Sequence, residues 1–151
     1  MVGGGPHAIR PADLHAAACA TPGWDWHAVG LPPGPDGRVV WHGWRQDPWD
    51  LLSSADVVVS TAGDGSLAQI AAARRPAVLL PQERPFNEQV WLARSVSDAA
   101  PVALVASDWP APEDWPGLLA RAADLDGERW RGYLDGSGAD RFARVLEAAA
   151  A

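Results

Sequence analysis

Hydrophobic positions along the chain fall into short unbroken runs, and between those runs apolar residues recur at helical spacing. The pattern is clearest over residues 55–89, ADVVVSTAGDGSLAQIAAARRPAVLLPQERPFNEQ. Val57, Val58 and Val59 form a β-branched run of the kind that makes a parallel strand buried on both faces. Residues 60–65 predict a loop in which Gly63 and Gly65 permit positive φ and close backbone approach. A short helix over residues 66–73 follows, with Asp64 and Ser66 as candidate caps and its free N–H groups pointing outward, an arrangement suited to a phosphate. Pro76 breaks the chain, residues 77–80 read as a second strand, and residues 81–89 read as a polar loop. Both loops therefore leave the carboxyl ends of adjacent strands, where open α/β sheets bind ligands.

The same order extends to either side. Met1 and Val2 read as the end of a strand, and Gly3, Gly4 and Gly5 lead into a helix over residues 11–20 with Leu14, Ala17 and Ala18 on one face. That glycine turn is either an anion-binding turn or a simple one, because its spacing departs from G-x-G-x-x-G. Strands are expected over residues 24–29, 38–41 and 102–105. Asp47 and Pro48 open a helix that runs to Ser54, and Val90, Leu92, Ala93 and Val96 supply the core face of another over residues 88–97. Helical patterns over residues 116–123, 126–134 and 139–150 close the chain and are expected to pack on one sheet face. Strands alternating with helices specify an α/β fold: a parallel sheet of five or six strands, right-handed crossovers, and helices on both faces.

Composition narrows the chemistry. At 151 residues the chain is read as one domain. The single cysteine, Cys19, excludes internal disulfides and reads as a small core residue. A net charge of −7 argues against nucleic acid as a partner. All 12 basic residues are arginine, which removes Schiff-base chemistry and the Walker-type phosphate lysine. The 9 tryptophans are read mostly as packing residues. His7, His15, His27 and His42 show no metal-ligand spacing, so no metal is expected, and no G-x-S-x-G elbow supports a hydrolase. No signal segment or membrane span is visible, and a cytoplasmic location is expected.

Around the second loop, Asn87 reads as a helix N-cap and Glu88 as a complement to the helix dipole. Glu88 and Gln89 could equally hydrogen-bond neighbouring hydroxyls of a sugar, and capping leaves Gln89 unexplained. Arg74 and Arg75 at a helix end are accounted for by dipole compensation.

Taken together, residues 55–59, Gly63, residues 70–73, Pro76, Pro81 and Glu88-Gln89 resemble the C-terminal, donor-binding half of GT-B glycosyltransferases of the family 28 type. The resemblance implies a Rossmann-like three-layer sandwich that binds a nucleotide sugar, usually a UDP-sugar, without a metal cofactor. Gly3, Gly4 and Gly5 would lie near the diphosphate, and Gly63, Asp64, Gly65 and Ser66 would hold phosphate. Trp44 and Arg45 would line the base, and Gln89, with Glu88 and Asn87 beside it, would meet the donor sugar. Gln69 falls where the family usually carries a glutamate on the ribose hydroxyls, and Thr61 where many relatives carry histidine. The acceptor-binding half and its general base are absent from residues 1–151, so catalytic residues stay unassigned. The implied partner is an N-terminal acceptor domain or a separate acceptor subunit, through which a membrane surface could be touched, and the chain alone is expected not to transfer sugar. The departures at Gln69 and Thr61 leave a second reading open, a non-catalytic module acting through protein contacts.

Overall fold

A computed structural model describes residues 9–35, 37–99 and 101–149. Among these residues the strands and helices follow in the order α1 (Pro11–Ala20), β1 (Trp26–Val29), β2 (Val39–Gly43), α2 (Trp49–Ser54), β3 (Val58–Ser60), α3 (Asp64–Ala73), β4 (Ala77–Leu79), α4 (Glu88–Ala99), β5 (Ala103–Val105), α5 (Trp115–Ala123) and α6 (Gly138–Ala149). Every pairing is parallel, as the buried β-branched runs require, and the fold is the expected Rossmann-like α/β type.

Among the described residues the strands form two hydrogen-bonded groups, β1-β2 and β3-β4-β5, and the strand end expected at Met1 and Val2 lies outside those residues. Consecutive residues 25–29 and 54–59 line one cavity of about 370 Å³. Side chains along a strand alternate between faces, so an unbroken run can line a single cavity only along the strand's edge. The facing edges of β1 and β3 thus border this space.

Alternation also divides the core. Val58, Ala77, Leu79 and Ala103 pack against Leu52 of α2, Leu67, Ile70 and Ala71 of α3, and Ala93 and Val96 of α4. Val57, Val59, Val78 and Leu80 turn the other way, toward Leu14, Ala17 and Ala18 of α1 and Trp115, Leu119 and Ala122 of α5. The three layers follow directly from period-two strands buried on both sides. Six of the tryptophans pack in or against these clusters, and Trp44, Trp49 and Trp91 are exposed.

Three expectations are corrected. Helix α6 buries no residue and exposes Phe142, Val145 and Leu146, because α1 and α5 already cover one sheet face and α2, α3 and α4 the other. Cys19 is exposed, with Sγ 3.5 Å from His15 Nε2, since the buried stripe of α1 runs through residues 14, 17 and 18 and turns position 19 outward. Arg74 lies just past α3 as a left-handed C-cap, and its guanidinium pairs with Glu128 at 2.9 Å. Arg75 donates to the carbonyl oxygen of Ser53, so specific partners replace simple dipole compensation for this pair.

The end of α3 is locked by the 3-10 segment Gly127–Gly132. Trp130, fully buried, donates its indole N–H to the Arg75 carbonyl oxygen at 2.8 Å, and Gly127 lies so close to the Arg74 carbonyl that a Cβ there would collide with backbone. Gly127→Ala should therefore lower unfolding stability by about 1–3 kcal/mol, the usual range for overpacking against structure that cannot give. Urea titration followed by tryptophan fluorescence checks this, and an unchanged midpoint would contradict it.

Candidate functional site

The carboxyl ends of β1, β2, β3 and β4 open onto one cleft of about 510 Å³. Its wall is built from four loops. The first turns at Gly30 (φ 83), just past β1, where a side chain would be strained. The second follows β2 and carries Trp44, Arg45 and Gln46, all exposed. It ends where the Asp47 carboxylate accepts the Trp49 N–H at 2.9 Å, and α2 begins at Trp49 with Pro48, not the expected Asp47, at its N-cap position.

The third loop runs from β3 into α3. The left-handed residue here is Ala62 (φ 61), whereas Gly63 has an extended φ of −67 and Gly65 lies within the helix. The glycines thus contribute space at the cleft rather than positive φ. Asp64 and Ser66 do not cap α3: Gly63 occupies the N-cap position without a side-chain hydrogen bond, and the first helical bond is Leu67 N–H to Gly63 O, 2.9 Å. A glycine at that position leaves the first-turn amides without side-chain capping, at the positive end of the helix dipole. Asp64 and Gly65 are exposed, and Ser66 is half-buried.

The fourth loop joins β4 to α4. Phe86 (φ 64) and Asn87 (φ 53) are both left-handed, which rules out Asn87 as the expected N-cap, a role that needs extended backbone. Asn87 also falls outside the cleft lining, while Arg84, Glu88 and Gln89 lie within it. Gln89 is 6% exposed, and its Oε1 accepts the Gln82 N–H at 3.0 Å. Its Nε2 faces Gly63, where a Cβ would stand 3.9 Å away. The start of α4 is thereby brought against the start of α3.

Of the residues singled out from sequence, Trp44, Arg45, Gly63, Asp64, Gly65, Ser66, Gln69, Glu88 and Gln89 share this cleft. Gly3, Gly4 and Gly5 lie outside the described residues, as does His7. Thr61, noted above for its departure, is also in the lining, and Gly30, Gln46 and Arg84 were not anticipated. The strand-end rule that located the other loops applies equally to Gly30. Arg45 and Arg84 supply positive charge at the rim, opposed by Asp64 and Glu88. Among the described residues no group of three or more His, Cys, Asp or Glu side chains is placed to hold a metal ion, and no helix is long and apolar enough to cross a membrane.

Residues 45–108, the segment that builds three of the four loops, match the model of the glycosyltransferase family 28 C-terminal domain. The chain has the fold of a GT-B glycosyltransferase C-terminal domain. Solved GT-B structures superpose over nearly its whole length. The glycosyltransferase of kitacinnamycin is 24% identical with a TM-score of 0.71, over 97% of this chain and 42% of that one. The spinosyn forosaminyltransferase SpnP is 17% identical with a TM-score of 0.72, over 99% and 43%. MurG of Acinetobacter baumannii is 14% identical with a TM-score of 0.66, over 97% and 48%. The chain thus spans less than half the length of these GT-B structures. No curated protein matches it.

Beside the cleft, His27 Nδ1 and His42 Nε2 stand 3.0 Å apart with ring planes 15° from parallel, a contact across β1 and β2 that no local spacing announces. Partial burial, then His27, then Arg45 hold the His42 imidazole below its ordinary value of 6.5. A histidine with a depressed folded pKa is protonated more readily in the unfolded chain. Its contribution to stability is therefore intact above pH 6.5 and is lost as pH falls through the lowered folded value. In an NMR titration the His42 ring should show its midpoint below 6.5, and His27→Ala should move it only part of the way back, since burial is the larger cause. A midpoint at or above 6.5 would contradict the geometry.

Proposed function

We propose that this chain is the nucleotide-sugar-binding domain of a glycosyltransferase, with a UDP-sugar as the donor. The observation that carries the reading is the meeting of two helix starts in one cleft, with Gln89 Nε2 turned toward Gly63. The first-turn amides of α3 suit a diphosphate, helped by Arg45 and Arg84. Glu88 and Gln89, at the start of α4, suit the hydroxyls of a hexosyl group, and Gln69 suits the ribose. Trp44 offers an exposed face to the base. Backbone dipoles offset the charge that develops on the leaving diphosphate, so the reading invokes no metal.

The acceptor and the general base come from a second unit, either an N-terminal domain of the same polypeptide or a separate subunit. The chain by itself binds donor without transferring it. Any membrane contact is made through that unit, and the compartment is the cytoplasm, where nucleotide sugars are available. Nucleic acid is not a partner, given the net charge of −7.

Calorimetric titration of the chain with UDP and UDP-N-acetylglucosamine tests the reading. Binding in the micromolar range is expected, and no heat at millimolar ligand would leave the non-catalytic module as the better account. Gln69→Glu should strengthen UDP binding by about three- to tenfold, because a carboxylate accepts stronger hydrogen bonds from a diol than an amide does. No gain would remove Gln69 from the ribose site.

A further inference from the structure

One strained residue of the β4-α4 loop has a side chain that packs against almost nothing. Phe86 has φ 64 and ψ 12, and the next residue, Asn87, is also left-handed. Asparagine tolerates that region, whereas a phenylalanine there is an outlier that folding must hold in place. Ordinarily the burial of a large ring would compensate. Phe86 is 96% exposed. The turn is held from below: the Asn87 N–H donates to the Arg84 carbonyl at 2.9 Å, and the Gln82 N–H donates to Gln89 Oε1. Strain maintained by its surroundings, with no packing return, clusters at ligand clamps. Phe86 lies two residues from both Arg84 and Glu88, which line the cleft, so it sits in the loop that forms that wall.

We infer that Phe86 is a specificity-determining residue that closes its ring over the apolar C–H face of the donor's hexosyl group, while Glu88 and Gln89 hold the hydroxyls at its edge. The inference rests on the donor-binding reading. Binding sites commonly combine an aromatic surface with a few placed polar groups, and a pyranose presents the matching arrangement of apolar face and polar rim. An exposed side chain reorients within nanoseconds, so the ring can swing onto a bound sugar without moving the turn. The residue contributes to the sugar's share of binding and not to that of the nucleotide.

Phe86→Gly and Phe86→Asn both accept positive φ and remove the ring, and Phe86→Tyr keeps it. Each variant of the full chain is melted and titrated with UDP and with UDP-N-acetylglucosamine. The glycine and asparagine variants should melt at or above the wild-type temperature and bind UDP within about twofold, yet bind UDP-N-acetylglucosamine about tenfold more weakly, the tyrosine variant staying near wild type. Unchanged UDP-N-acetylglucosamine binding in the ring-less variants overturns the inference and leaves Phe86 to a protein partner, with donor binding intact. Equal loss of both ligands also overturns it. Wild-type protein that binds neither ligand overturns the donor-binding reading and this inference with it.

Discussion

Everything at the cleft depends on how α3 is seated. Leu67 and Ile70 are wholly buried against β3 and β4, which fixes the helix axis and the direction of its dipole. At the far end, the Trp130 indole holds the Arg75 carbonyl, Gly127 abuts the Arg74 carbonyl, and the Arg75 guanidinium reaches the Ser53 carbonyl in α2. A helix pinned by its buried face and its C-terminus cannot slide along its axis. Its N-terminal amides therefore keep their place opposite Gln89. The 3-10 segment near the chain's end, remote from the cleft in sequence, is thus part of what positions it.

The fold was legible where period and burial coincide. Val57, Val58 and Val59 point to opposite faces in turn, and the unbroken apolar run signals that both faces are covered, which in turn signals parallel pairing. The cleft was legible for a related reason: in a parallel α/β unit the loops after the strands fall at one end of the sheet, so loop residues far apart in sequence converge without any motif for each contact. Trp44, Gly63 and Gln89 meet in this way.

What escaped sequence reading depends on tertiary context. The β3-α3 turn takes its left-handed residue at Ala62 beside two glycines that could have served, because buried surroundings override intrinsic preference. Asn87 has a capping side chain, yet the preceding turn places it in the wrong backbone region to cap. The His27–His42 contact arises from strand pairing between residues fifteen apart.

Helix α6 follows a different logic from the rest. It is twelve residues long, contributes nothing to the buried core, and leaves Phe142, Val145 and Leu146 in water. A helix of that length without tertiary packing is marginal in water. It begins from an Asp135 carboxylate that accepts both the Arg141 guanidinium and the Ser137 N–H, interactions at the surface and close in sequence. Its amides consequently report a local opening equilibrium, close to that of an isolated peptide, while those of α3 report the unfolding of the whole domain. The exposed helix is thus expected to open at a lower free energy than the buried domain, which a global unfolding midpoint describes.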